Sequence, residues 1–405
     1  MSETEEGKRI SKKIAQTTAY GIIFSVSFSH LLNDAIQSLI PSIYPLLKDS
    51  FQLSFAQIGL ITFTFQFTAS MLQPLVGAYT DKHPQPYSLA LGMCVSLLGL
   101  ILISYANSFG LILLSVALIG TGSSIFHPES SKIAYMASGG RRGMAQSIFQ
   151  VGGNTGSAIG PLLAALIVVE YGRSHAIYFG ILALIAIFVL LHVGKWAAQQ
   201  YEDRIRVNKR VDAGEHHPHL TKRKVYQSIA ILLVLIFSKY IYSASISSYY
   251  TFFLIEKFHV SIQQSQLFLF AYLLASAVGT YLGGPLGDRY GRKYVIWFSI
   301  LGAAPFALLL PYVNLFWTCT LSVVIGLVLS SAFPAIIVYA QELLPGKIGM
   351  VSGLFYGFAF GVGGIASALL GLLADYKDIY FVYYLCSFML LMGLVTWWLP
   401  DLKKK

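Results

Sequence analysis

His30, Asn33, Asp34 and Gln37 follow an i, i+3, i+4, i+7 spacing, which places all four on one face of an α-helix. The stretch around them, residues 19–47, is otherwise mostly apolar. An ionisable group in such surroundings is costly and turns toward a cavity or a partner. Asp34 is thus a candidate to bind and release a proton, with His30 one helical turn away as its partner. A second constellation reads Phe126-His127-Pro128-Glu129-Ser130-Ser131-Lys132. Its proline frees a main-chain carbonyl in the preceding turn. Glu129 and His127 are further proton-carrying candidates, although Lys132, three residues on, could equally hold Glu129 in a structural ion pair.

A third group supplies binding chemistry. Lys239 stands near the middle of an apolar run with Tyr242 one turn later. A buried ammonium needs a counter-charge, either a carboxylate of this chain or an anionic ligand. Gln146, Gln150 and Asn154 repeat at one-turn intervals, as do Gln66, Ser70 and Gln73. With Asn33 and Gln37 they outline a polar cleft, in which Asn33, Gln37, Gln66, Gln150, Asn154, Lys239 and Tyr242 are the candidate substrate contacts. No HExxH, no GxSxG elbow and no GxxxxGK[ST] loop is present, which argues against an enzyme and against direct ATP coupling. No cofactor, resident metal or nucleic-acid partner is expected. Cys94, Cys319 and Cys386 fall in apolar runs without a CxxC pair and read as packed small residues. His216, His217 and His219 lie in a polar stretch without fixed geometry and are not taken as metal ligands.

The elements that must position these groups are hydrocarbon-length helices. Of 405 residues, 56% are hydrophobic and 11% charged, and the mean hydropathy is +0.65. A soluble domain carries about a quarter charged residues, so most of this surface meets lipid. Apolar blocks of roughly 20 residues or more, the length that crosses a bilayer, give about twelve spans: 19–47, 55–80, 86–106, 110–136, 143–169, 175–195, 225–256, 263–287, 293–312, 315–342, 348–373 and 379–399. The first apolar block is too long for a cleavable signal and is followed by more of its kind. With the N-terminus placed inside, 22 of the 28 Lys and Arg fall in inner segments, among them Lys8, Arg9, Lys82, Arg141, Arg142, Lys195, Arg223, Arg289, Lys293 and Lys347. Only Lys48, Arg173, Lys257 and Lys377 fall in outer ones. Both termini are therefore expected in the cytoplasm, and the net charge of +10 reads as topology rather than nucleic-acid binding.

An internal repeat divides the chain. Ser54-x-x-Gln57 returns as Ser261-x-x-Gln264, and Gly77-x-x-x-Asp81-Lys82 as Gly284-x-x-x-Asp288-Arg289. Gly120, Pro128 and Gly143-Met144 return as Gly326, Pro334 and Gly349-Met350. A near-constant offset across separate spans means two copies of one six-helix unit. The expected organisation is a bundle over 1–196, a cytoplasmic linker over 197–224 and a second bundle over 225–405, with a site at the midplane between the copies.

The run Gly284-Pro-Leu-Gly-Asp288-Arg289-Tyr-Gly291-Arg292-Lys293 matches the G-x-x-x-D-R-x-G-R-K signature of the major facilitator superfamily at every defined position. The first copy keeps Gly77, Asp81 and Lys82 and then departs at His83-Pro84-Gln85-Pro86. Gly156-x-x-x-Gly160-Pro161-x-x-Ala164-Ala165 resembles the family's antiporter motif, with alanines replacing its last two glycines. Gly152, Gly156 and Gly160 share a face, as do Gly353, Gly357 and Gly361, and such faces let helices approach closely. The resemblance implies an all-α membrane fold of two pseudo-symmetric six-helix bundles. It also implies cytoplasmic gating residues: Gly77, Asp81, Lys82, Lys132, Gly160, Pro161, Gly284, Asp288, Arg289, Gly291 and Arg292. Asp81 is expected to face the start of the eleventh span and Asp288 the start of the fifth; the alternative is that both cap short turns.

The longer runs from His30 to Ser38, Gly120 to Ser131 and Gln146 to Asn154 resemble bacterial drug exporters of that superfamily whose substrate is a phosphonate antibiotic. The implied activity is proton-driven efflux across the inner membrane by a functional monomer, with Lys239, His30 and His127 complementing the anion. A facilitator-type transporter of a metabolite, such as a sugar or organic anion, is the alternative.

Overall fold

The computed structural model describes residues 18–53, 55–208 and 220–402. Ser54, the N-terminal Lys8, Arg9, Lys12 and Lys13, the linker's Lys209, Arg210, His216, His217 and His219, and Lys403, Lys404 and Lys405 lie outside the described residues. Every regular element among the described residues is helical. In chain order these are α1 (Tyr20–Ser42), α2 (Tyr44–Phe51), α3 (Phe55–Met71), α4 (Gln73–Lys82), α5 (Ser88–Tyr105), α6 (Phe109–Ala137), α7 (Arg142–Leu163) and α8 (Phe179–Asn208). The second half follows with α9 (Lys222–Phe258), α10 (Ile262–Tyr290), α11 (Arg292–Leu301), α12 (Ala304–Leu309), α13 (Leu315–Ser330), α14 (Ala332–Leu343), α15 (Ile348–Tyr376) and α16 (Ile379–Met389).

Ten described segments are long and apolar enough to cross a bilayer. The first two expected spans are not among them, for reasons visible in their residues. Helix α1 carries His30, Asn33, Asp34 and Gln37, and α3 ends after 17 residues before the chain resumes as α4. Apolar side chains such as Phe24, Phe28, Phe63, Phe67, Leu91 and Phe188 remain exposed, as a lipid solvent allows.

Side chains at helix starts set several boundaries. Ser108, Thr221, Asn314 and Asp378 each accept a main-chain N–H from the first turn of α6, α9, α13 and α16. The Ser-x-x-Gln of the repeat has a local purpose in its second copy. Ser261 and Gln264 form a reciprocal capping box at the start of α10. Helix α8 runs past residue 196 to Asn208, so the polar connection is helical in its first part. Ala197-Ala-Gln-Gln-Tyr-Glu202 contains good helix formers and no breaker.

The described residues form two compact units. The first takes residues up to 208 together with Leu344–Gly357; the second takes residues 220–343 and 358–402. Within the first unit, α1 and α7 pack backbone to backbone. A Cβ at Gly152, Gly156 or Gly160 would strike the carbonyl of Ser27, Leu31 or Ala35 respectively, three positions one turn apart on α1. Gly353 and Gly357 of α15 likewise lie on the carbonyls of Gln73 and Ser70, whereas a Cβ at Gly361 would meet nothing within 4 Å among the described residues. Helix α6 continues through Pro128. Helix α7 contains Pro161 and passes into a wider turn over Ala164–Val169.

The two motif copies join their helices differently. Helix α4 ends at Lys82 and α5 starts at Ser88. In the second copy Gly291 alone separates α10 from α11, with a φ of 105° that side-chain-bearing residues rarely adopt.

Candidate functional site

The face predicted on α1 is buried inside the first unit, where it meets α6 and α7. His30 is fully buried and Asp34 nearly so. His30 Nε2 lies 3.4 Å from Asp34 Oδ2, and His127 Nε2, brought in by α6, lies 3.6 Å from Oδ1. Each ring is held by its other nitrogen. His30 Nδ1 is 2.8 Å from the Phe149 carbonyl, and His127 Nδ1 is 3.1 Å from that of Ser123. Since a carbonyl only accepts, His30 Nδ1 carries a hydrogen; His127 Nδ1 also lies 3.3 Å from the Ser123 hydroxyl, which can donate or accept. The amides of Asn33 and Gln37 donate to Asp34 Oδ1 at 3.0 and 3.1 Å, and Ser157 Oγ donates to Oδ2 at 3.4 Å. Phe149 stacks on the His30 ring with centroids 4.2 Å apart. Gly153 sits against this ring so closely that a Cβ there would collide with it.

Glu129 belongs to a different cluster. Two residues along a helix correspond to a turn of about 200°, so Glu129 leaves α6 on the side opposite His127. It accepts hydrogen bonds from the hydroxyls of Thr80 and Ser88. Lys132 Nζ lies 3.5 Å from Glu129 Oε1 and 3.3 Å from Asp81 Oδ1, and donates to the Thr80 carbonyl at 2.9 Å. The two oxygens of Asp81 accept the first main-chain amides of α15, from Gly349 at 3.0 Å and Met350 at 2.9 Å. A carboxylate there satisfies orphan donors and meets the positive end of the helix dipole. Gly77 makes the approach feasible, since a Cβ on it would strike the Gly349 carbonyl. Lys82, next in the motif, is exposed.

Sequence reasoning missed Tyr356, the fully buried residue that organises the glutamine stripe of α7. Gln146 Nε2 donates to its hydroxyl at 2.6 Å, and that hydroxyl donates to Gln150 Oε1 at 2.9 Å. The tyrosine ring also lies 5.5 Å from that of His127. Its position between Gly353 and Gly357 was the available signal, because a glycine-lined face brings its intervening residue close to the neighbouring helix. Gln150 also donates to Asn154 at 3.3 Å. Gln66, half-buried on α3, bonds to none of these groups among the described residues.

In the second unit, Lys239 is buried on α9 with its ammonium 4.6 Å from the Tyr240 ring centroid and 5.1 Å from that of Phe333. Cation–π contacts stabilise it without neutralising it. One turn on, the Tyr242 hydroxyl is buried without a hydrogen-bond partner among the described residues. In the motif, Arg292 bridges Asp288 and Glu342, each at 3.1 Å, while Arg289 is exposed over the Tyr290 ring. Gly284 is buried.

The arrangement has the form of a carrier: buried charge in helices and polar groups lining their inner faces. Residues 26–254 and 229–405 match the Major Facilitator Superfamily. The chain belongs to the major facilitator superfamily. Over its full length, and the full length of the relative, it is 56% identical to the fosmidomycin resistance protein of Escherichia coli. It is 42% identical to the MFS-type transporter YfnC of Bacillus subtilis, over 96% of this chain and 95% of that one. The solved structure of the human organic anion transporter MFSD10 shares the fold at a TM-score of 0.73 and 17% identity, over 94% of this chain and 99% of the other. As a member of the superfamily this protein is a multi-pass membrane transporter.

Proposed function

We propose that this chain is a proton-driven exporter of small anionic compounds of the fosmidomycin type, working by alternating access in the bacterial inner membrane with both termini in the cytoplasm. The observation that carries the coupling is a buried carboxylate, Asp34, flanked by two imidazoles within 3.6 Å. Such a cluster can take up and release protons while its charge stays balanced by neighbours. Glu129 is a second proton carrier, linked through Lys132 and Asp81 to the start of α15. The full-length 56% identity to a fosmidomycin resistance protein supports the substrate class.

Lys239 supports an anionic substrate, because its burial leaves an ammonium that a phosphonate would complement. Tyr242, Asn33, Gln37, Gln66, Gln150 and Asn154 complete the proposed contacts. Gly77, Asp81, Lys82, Lys132, Gly160 and Pro161, with Gly284, Asp288, Arg289, Gly291 and Arg292, form the proposed gating set. The proposed organisation is the two bundles of 1–196 and 225–405 joined by the 197–224 linker, acting as a monomer.

The test is fosmidomycin uptake into inverted vesicles with and without an imposed pH gradient. Uptake should require the gradient and fall to background in Asp34→Asn. Gradient-independent uptake would overturn the coupling. Unchanged drug sensitivity on deletion, with lost growth on one nutrient, would replace the drug by a metabolite.

A further inference from the structure

The atoms that converge at Asp34 make up a ligand set. Main-chain carbonyls lie against both Nδ1 atoms, and both Nε2 atoms face the carboxylate, free to ligate when the rings are neutral. One donor atom from each of His30, Asp34 and His127 lies within 4.8 Å of the others, and all three residues are buried. Two imidazole nitrogens that face a carboxylate need a cation among them, which is either a proton on a ring nitrogen or a metal ion.

The separations point to what kind of cation fits. At 3.4 and 3.6 Å the two nitrogen–oxygen distances exceed those of ordinary N–H···O bonds, about 2.7–3.2 Å. Each runs to a different carboxylate oxygen and is close to the ~3.3 Å that separates two ligands on a tetrahedral ion with bonds of roughly 2.0–2.1 Å, and the three donor atoms together lie within 4.8 Å of one another. The surroundings also match those of metal sites. Ligating histidines characteristically donate their second N–H to a carbonyl, and ligating carboxylates are themselves hydrogen-bonded. Here Phe149 and Ser123 supply the carbonyls, while Asn33, Gln37 and Ser157 hold the carboxylate. Two nitrogens and one oxygen suit zinc-like ions and not magnesium or calcium, which take oxygen ligands.

We propose that His30, Asp34 and His127 bind a divalent cation of the zinc type, with three protein ligands and a fourth position for water or an anion. Residue spacing shows no sign of it, because the ligands come from two helices. Binding displaces whatever protons these groups carry. A bound ion also ties α1 to α6. The assignment depends on these three ligands and not on which compound the protein transports.

The experiment uses the purified full-length protein in detergent, without a histidine tag, titrated with Co2+ as a spectroscopic substitute for Zn2+. One equivalent should bind and give the intense visible bands of a tetrahedral ion. Zn2+ should then quench those bands. Asp34→Asn and His127→Gln, both near the natural size, should each weaken binding by more than about tenfold; gel filtration and melting verify that they fold. Alanines at His216, His217 and His219 should leave the bands unchanged. Weak octahedral bands, bands retained in both site variants, or bands lost with the linker histidines would each overturn the proposal. Since the readout needs no gradient and no substrate, it can fail while proton-driven export stands, and the reverse also holds.

Discussion

The two units bury charge in very different ways. Among the described residues the first unit buries His30, Asp34, His127, Glu129 and Lys132, whereas the second buries Lys239 as its one charged side chain. The repeat shows where they diverged. Pro128 and Pro334 occupy corresponding places in α6 and α14. Around them, His127, Glu129 and Lys132 answer to Phe333, Ala335 and Val338. One helix has kept or acquired ionisable chemistry while its counterpart became an apolar wall, part of which packs on Lys239. Two copies of one scaffold thus hold charge differently: the first in clusters of opposite charges, the second as a single ammonium against aromatic rings.

The largest expected stability difference between the units comes from their central cations. Lys132→Met leaves Asp81 and Glu129 buried without their shared partner, a loss of about 3–5 kcal/mol. Arg292→Met removes two pairs whose side chains are 10–20% exposed and should cost less, at most about 2 kcal/mol. Melting of both variants in the same detergent checks the order, and equal losses would erase the contrast. Next is Lys239→Met, which removes a charged contact worth about 1.5–3 kcal/mol. Apparent affinity for fosmidomycin should fall roughly ten- to a hundredfold, with protein yield unchanged. An unaltered KM would take the second unit's cation out of substrate binding.

Smaller effects sharpen the comparison at the packing level. Gly156→Ala drives a Cβ into the Leu31 carbonyl and should cost about 1–3 kcal/mol. Gly361→Ala, with open space around it, should change the melting temperature little. Smallest is the joint between α10 and α11, where Gly291→Ala should cost about 1–2 kcal/mol for its positive φ. His83→Gly in the first copy, at a φ of −125°, should be nearly neutral.

Much of the fold was legible in the sequence because lipid imposes one rule, that apolar runs be long and helical. The α1 face was legible for a related reason: four polar residues in an apolar helix must share a side. What periodicity could not give was pairing between helices. His127 and Glu129 read as one group in the sequence, yet the helical turn between them sends one to Asp34 and the other to Lys132. Tyr356 carries no charge and so stayed hidden, although its hydroxyl links two glutamines. The length of α8 was not legible for another reason. Polarity stops a helix from being apolar and does not stop it from being a helix.

The single-residue joint at Gly291 bears on how such proteins can be rebuilt. Helix α11 takes its direction from one unusual torsion, while α5 follows a connection through His83 and two prolines. Swapping the letters of one signature into the other would therefore import side chains without the bend that aims them. The duplicated halves have ceased to be exchangeable parts, and a chimera that trades these segments needs whole helix–turn–helix blocks, cut well outside the motif.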